Sequence, residues 1–248
     1  MATRMLKGFF LVALLLSSSA YASEKIRVAA ASDLKFAMDE IKPAFVKLKP
    51  GVELDVTIGS SGQFTQQIEG GANFDLFLSA DRSYPDRLKE KSFTSGDVFN
   101  YGKGHLVLWA RNDKGLDVTS GLQTLTNPKI KKIAIANPAH APYGKSAKDA
   151  LDKSGVYAKI ETKLVTGDSI TQAAQFALTG AADVGLIALS LALSPEFKKV
   201  GNYDPVKEAP ELIQAGVVLK SNKAGAAALR DFILSADGQA ILAKYGLK

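Results

Sequence analysis

Four short polar turns hold the residues with which this chain can do chemistry: Ala29-Ala30-Ala31-Ser32-Asp33-Leu34, Gly59-Ser60-Ser61-Gly62-Gln63, Pro138-Ala139-His140-Ala141-Pro142-Tyr143-Gly144 and Gly167-Asp168-Ser169-Ile170. Each offers hydroxyls and, where a helix follows, backbone amides that lack an intrahelical acceptor. A helix N-terminus also carries roughly half a positive charge, so such turns can hold an anion without any cationic side chain. Gly59 and Gly62 let the backbone come close to a ligand. A plainer reading stands beside each turn. Ser32 and Ser169 also suit helix capping, the Gly-Ser-Ser-Gly stretch a flexible turn, and Tyr143 a packing role. Asp33 and Asp168 are expected to face away from any bound dianion, which a carboxylate would repel by several kcal/mol. Both lie in a helix's first turn, where a carboxylate offsets the macrodipole or accepts backbone hydrogen bonds.

Other chemistries find little support. The chain has no cysteine and two histidines, His105 opening a strand and His140 in the third turn, with no partner carboxylate or second ligand at a recognisable spacing. The expectation is a protein that is not an enzyme, with no cofactor and no bare metal ion. An iron binder would cluster tyrosines and acids, yet Tyr84, Tyr101, Tyr143, Tyr157 and Tyr203 are dispersed in sequence. Lysines are interleaved with acids and form no basic stripe, so no nucleic-acid partner is expected.

The elements that must position the turns alternate as strand and helix, the grammar of a sheet covered by helices. Ile26 to Ala31, Val52 to Ile58 and Leu76 to Ser79 read as strands, with helices over Leu34 to Lys49 and Gln63 to Glu69. A second unit restarts beyond Tyr101 through His105 to Ala110, Lys132 to Ala136, Ala147 to Ser154, Ile160 to Leu164, Ile170 to Leu178 and Val184 to Ile187. A strand from Ile213 to Leu219 and one final helix from Ala224 to Tyr245 return to the first unit. Ligands of open α/β sheets sit beyond the carboxyl ends of strands, so the four turns are expected to meet across a cleft. Upstream, Arg4 and Lys7, an apolar run from Phe9 to Leu16 and Ala20-Tyr21-Ala22 read as a signal peptide cleaved after Ala22, implying a periplasmic protein. The mature chain then carries a net charge of about +4, a weak field that favours anions.

Taken in order, these segments resemble the periplasmic molybdate-binding proteins of ABC transporters, a type II solute-binding family, over essentially the whole mature chain. The resemblance is carried by AAASDL from Ala29, GSSGQFTQQIEGGANFDLFLSAD from Gly59, NPAHAPYGKSAKDAL from Asn137, ADVGLIALS from Ala182 and FILSADGQAILAKYG from Phe232. It implies a two-lobed α/β fold, each lobe a mostly parallel sheet flanked by helices. Residues 23–101 with 206–248 would form lobe 1 and residues 102–205 lobe 2, with the ligand between them. It also implies that molybdate or tungstate is held by the hydroxyls of Ser32 and Ser61 and by the amides of Tyr143 and Ile170. Ser60 is the alternative to Ser61, and counting back from Gln67-Ile68-Glu69 favours Ser61. The ligand would pass to an inner-membrane ABC permease, and the protein would be a monomer. Sulfate or chromate is the alternative ligand. A site made only of donors would disfavour phosphate, because a buried O–H without an acceptor costs about 1–3 kcal/mol. One position departs from the pattern: many relatives place a ligand tyrosine where this chain has Ala188, and the Tyr143 phenol or amide is the candidate to replace it.

Overall fold

The computed structural model describes residues 23–247. The expected signal peptide and its cleavage site lie outside them. In chain order the elements are β1 (Glu24–Ala31), α1 (Lys35–Leu48), β2 (Val52–Gly59), α2 (Ser61–Glu69), β3 (Leu76–Ser79), α3 (Ser83–Glu90), β4 (Phe99–Gly104), β5 (Leu106–Arg111), β6 (Ile133–Ala136) and α4 (Pro142–Lys153). There follow α5 (Tyr157–Ile160), β7 (Leu164–Gly167), α6 (Ile170–Leu178), β8 (Val184–Ala188), α7 (Leu189–Ala192), α8 (Pro195–Lys198), β9 (Gly201–Pro205), β10 (Leu212–Val218), α9 (Ala224–Leu234) and α10 (Ala236–Lys244).

The strands form two five-stranded sheets, ordered β2-β1-β3-β10-β4 and β7-β6-β8-β5-β9. Each is half parallel and half antiparallel, not mostly parallel as the alternation suggested. The cause is connectivity: β10 enters the first sheet antiparallel to β3 and β4, and β5 enters the second antiparallel to β8 and β9. Only the βαβ crossovers give parallel pairs. Because β4 continues to Gly104, the first passage between lobes falls at His105, a few residues beyond Tyr101. Residues 206–211 make the second passage.

Side-chain pattern explains the layers. In α1 the buried Ala37, Met38, Ile41 and Phe45 recur at helical spacing and lay one apolar stripe on the first sheet. β1, an interior strand flanked by β2 and β3, is buried continuously from Val28 to Ala31. The second lobe packs around Trp109, which meets Phe197 edge-on at 5.2 Å between centroids. Two sequence expectations shift. Ile160 lies in a helical turn, and its strand begins only at Leu164. The single C-terminal helix is broken at Ser235, which is extended; its hydroxyl donates to Phe232 O (2.6 Å) and accepts from the Gly238 amide (3.3 Å), ending one helix and capping the next.

Candidate functional site

All four sequence-predicted turns converge on one small cavity between the two sheets, lined among others by Ser32, Ser60, Ser61, Tyr143 and Ile170. Its volume is about 10 Å³, on the scale where about 10–15 Å³ seats a single water-sized body. That room suits one compact ligand. Three helices of nine or more residues begin at its wall: α2 at Ser61, α4 at Pro142 and α6 at Ile170. Ser61 and Ile170 are the first residues of their helices and Tyr143 the second, so their amides have no intrahelical acceptor. The three N-termini together bring roughly one and a half positive charges. No arginine, lysine or histidine is among the residues that line the cavity.

The serines differ in what their protons do. The Ser61 hydroxyl accepts from the Ala80 amide at 3.1 Å, and the Ser32 hydroxyl from the Thr171 amide at 3.4 Å. Neither donates to a protein acceptor among the described residues, so each keeps its O–H for a ligand. Ser60 instead donates to His140 O at 2.5 Å, and its proton is committed. Of the two adjacent serines, Ser61 therefore has the free donor. Ser32 does not cap its own helix, since the turn it opens has no side-chain cap. Ser169 does cap: its hydroxyl accepts from the Gln172 amide at 3.2 Å.

Contacts across the cleft hold the lobes together around this space. Thr171 Oγ1 donates to Ser32 O (2.6 Å), the Gly62 amide to His140 O (3.0 Å), and Ser190 Oγ to Asp33 O (2.8 Å). The Tyr143 phenol donates to Asp33 Oδ2 at 3.0 Å. It is thus spent on Asp33 and replaces no ligand hydroxyl at Ala188, which is buried at the end of β8 and pairs with Leu106.

Asp33 is the largest departure from expectation. Asp168 is exposed, but Asp33 is buried and lines the cavity. Its Oδ2 accepts from Tyr143 and from Gln214 Nε2, while Oδ1 makes no hydrogen bond. Burial pushes its carboxyl up to about 6, against the opposing pull of the Gln214 and Tyr143 bonds. Tyr101, distant in sequence, stands close enough to Asp33 that the carboxylate adds to the burial holding its phenol protonated. The cavity is therefore not a donors-only site. Sequence reasoning missed this cluster because Gln214 lies 181 residues from Asp33 and no local pattern links them.

Two α/β lobes joined by two chain passages, with a small cavity of serine hydroxyls and helix N-termini between them, define a two-lobed solute-binding protein. The chain belongs to the bacterial extracellular solute-binding protein family, whose model matches residues 26–248. The molybdate-binding protein ModA of Rhodobacter capsulatus is 38% identical over 231 residues, covering 91% of this chain and 88% of that protein. ModA of Azotobacter vinelandii is 34% identical, covering 94% and 92%. A solved structure, the periplasmic molybdate-binding protein of Azotobacter vinelandii, superposes with a TM-score of 0.80 at 27% identity, over 90% of this chain and 98% of that one.

Proposed function

We propose that this protein captures molybdate, and tungstate equally, in the periplasm and delivers it to the permease of an ABC transporter. The observation that carries the reading is the pair of buried hydroxyls, Ser32 and Ser61, each fixed by a backbone amide and each with an uncommitted proton. With the amides of Tyr143 and Ile170 they give a compact anion four donors, and the converging helix N-termini offset its charge. The metal enters as its oxyanion, so every contact is a hydrogen bond to oxygen and no metal ligand is needed from the chain. The named ligands of the two relatives support the choice among tetrahedral anions. Export through a signal peptide cleaved after Ala22, and action as a monomer without a cofactor, complete the reading.

Calorimetry on anion-free protein with molybdate, tungstate, sulfate, phosphate and chromate tests it. Molybdate and tungstate are expected to bind tightly and to raise thermal stability, by about 2.7 kcal/mol at one hundred times Kd. Heat from sulfate or chromate alone would move the assignment to that anion. Ser61→Ala removes one donor to a charged ligand, worth about 1.5–3 kcal/mol, and is expected to weaken molybdate about ten- to a hundredfold, with a separate loss of unliganded stability of about 1–3 kcal/mol because the Ala80 amide loses its acceptor. Wild-type affinity in that variant would refute the role of Ser61.

A further inference from the structure

The cavity poses a charge problem that its donors do not solve. A dianion seated beside an ionised Asp33 would bring three negative charges into one small, largely buried space. Among the described residues no cation contacts Asp33: the side chains that meet it are Tyr143 of α4, Gln214 of β10 and, through the main chain, Ser190 of α7. The Tyr101 phenol of β4 stands nearby, and it and Tyr143 are both held protonated far above neutral pH. The amides of Asp33 and Leu34 also favour the ionised carboxyl, and burial, the largest influence, opposes them. One atom has an unused capacity: Oδ1 of Asp33 is buried and makes no hydrogen bond, on a residue that lines the cavity. A proton placed there would leave the bonds at Oδ2 intact, cancel one of the three charges and create a further O–H donor.

We propose that Asp33 is a proton-accepting residue of the binding site: closure over a dianion moves one proton from solvent onto Oδ1, so that anion and proton are captured together. The proposal rests on the oxyanion reading above. The O–H bond formed at Oδ1 replaces one broken in the buffer acid, and the complex gains one net negative charge in place of two. The carboxyl of the closed form already titrates at about 6, whereas an open, hydrated cleft returns it to the ordinary carboxylate value of about 3.9. The closed form thus binds the proton more tightly, and affinity must rise as pH falls through that window. It levels off below about pH 4, where the open form is protonated as well.

Titration of molybdate into the intact protein, in two buffers of different ionisation heat, reads the proton directly. The expected result is a buffer-dependent enthalpy equal to uptake of about half a proton or more at pH 6, approaching one at pH 5. Kd should tighten about tenfold between pH 7 and pH 5. Heat of binding that is independent of the buffer would overturn the proposal while leaving the oxyanion reading intact, and absence of any heat with molybdate would sink that reading instead. Asp33→Asn mimics the neutral acid and is expected to bind molybdate with no proton uptake. Uptake that persists in this variant would belong to another group, such as His140, whose Nδ1 lies 3.1 Å from Ser60 Oγ, and would also overturn the assignment. If the variant fails to fold, the two-buffer result on the unaltered protein still decides.

Discussion

Gly62→Ala is expected to weaken molybdate capture by about a hundredfold or more while leaving the unliganded protein as stable as before. Gly62 is where the first lobe's α2 touches the 137–141 turn of the second, its amide 3.0 Å from His140 O. A Cβ at this position would stand 2.4 Å from that oxygen and 3.0 Å from the His140 Cα. These are main-chain atoms, so no side-chain rotation relieves the overlap, and the helix of which Gly62 is the second residue otherwise favours alanine. With the lobes apart the clash vanishes. The whole cost, at least the upper part of the range of about 1–3 kcal/mol typical of overpacking, therefore falls on closure, and each 1.4 kcal/mol is about a factor of ten in Kd. Calorimetry and a thermal melt with and without molybdate separate the two effects. Wild-type affinity would show that the lobes close without this contact.

The largest effect on stability is expected at Trp109, buried in the second lobe against Phe197 and against the backbone of Gly201. Trp109→Ala empties this space and should cost about 3–5 kcal/mol, a fall in Tm of about 10 °C for a chain of this size. Gly201→Ala errs in the opposite direction: its Cβ would lie 2.1 Å from Trp109 Cζ2 and 2.6 Å from Ala110 O. Overpacking of this kind costs about 1–3 kcal/mol. Because both changes act on one contact they must be coupled, and the double variant should be less destabilised than the sum of the two. Additive losses of Tm in denaturation of all three variants would refute that shared contact.

Local patterns made much of this molecule legible in its sequence. The spacing of apolar residues located β1, β2, β3, α6, β8 and β10 to within two residues, since period and turn chemistry are properties of short stretches. Sheet direction was hidden, because the return of β10 between β3 and β4 depends on pairing between residues more than a hundred positions apart. The broken C-terminal helix turned on one hydroxyl, that of Ser235, in a segment otherwise rich in alanine and leucine. At the site, the turns themselves were readable as donors. Which serine keeps its proton was not, for it depends on the partners Ala80, Thr171 and His140. Asp33 shows the limit most plainly. Its position in a helix's first turn suggested that it would face away from the ligand, whereas it lines the cavity, held there by Tyr143 and Gln214 from two distant elements.

The two free hydroxyls are aimed by different halves of the molecule. Ser61 takes its amide from Ala80 in its own lobe, so it is set before any ligand arrives. Ser32 takes its amide from Thr171 across the cleft and is oriented only once the halves meet. On the proposed oxyanion reading, arrival and escape would then fall to different residues. Ser61 offers a ready landing point to an incoming anion and should weigh on the association rate, while Ser32 joins late and should weigh on the time the anion stays. A transporter that pulls the halves apart would disarm Ser32 first, and the cargo would leave by reversing the sequence in which it was gripped.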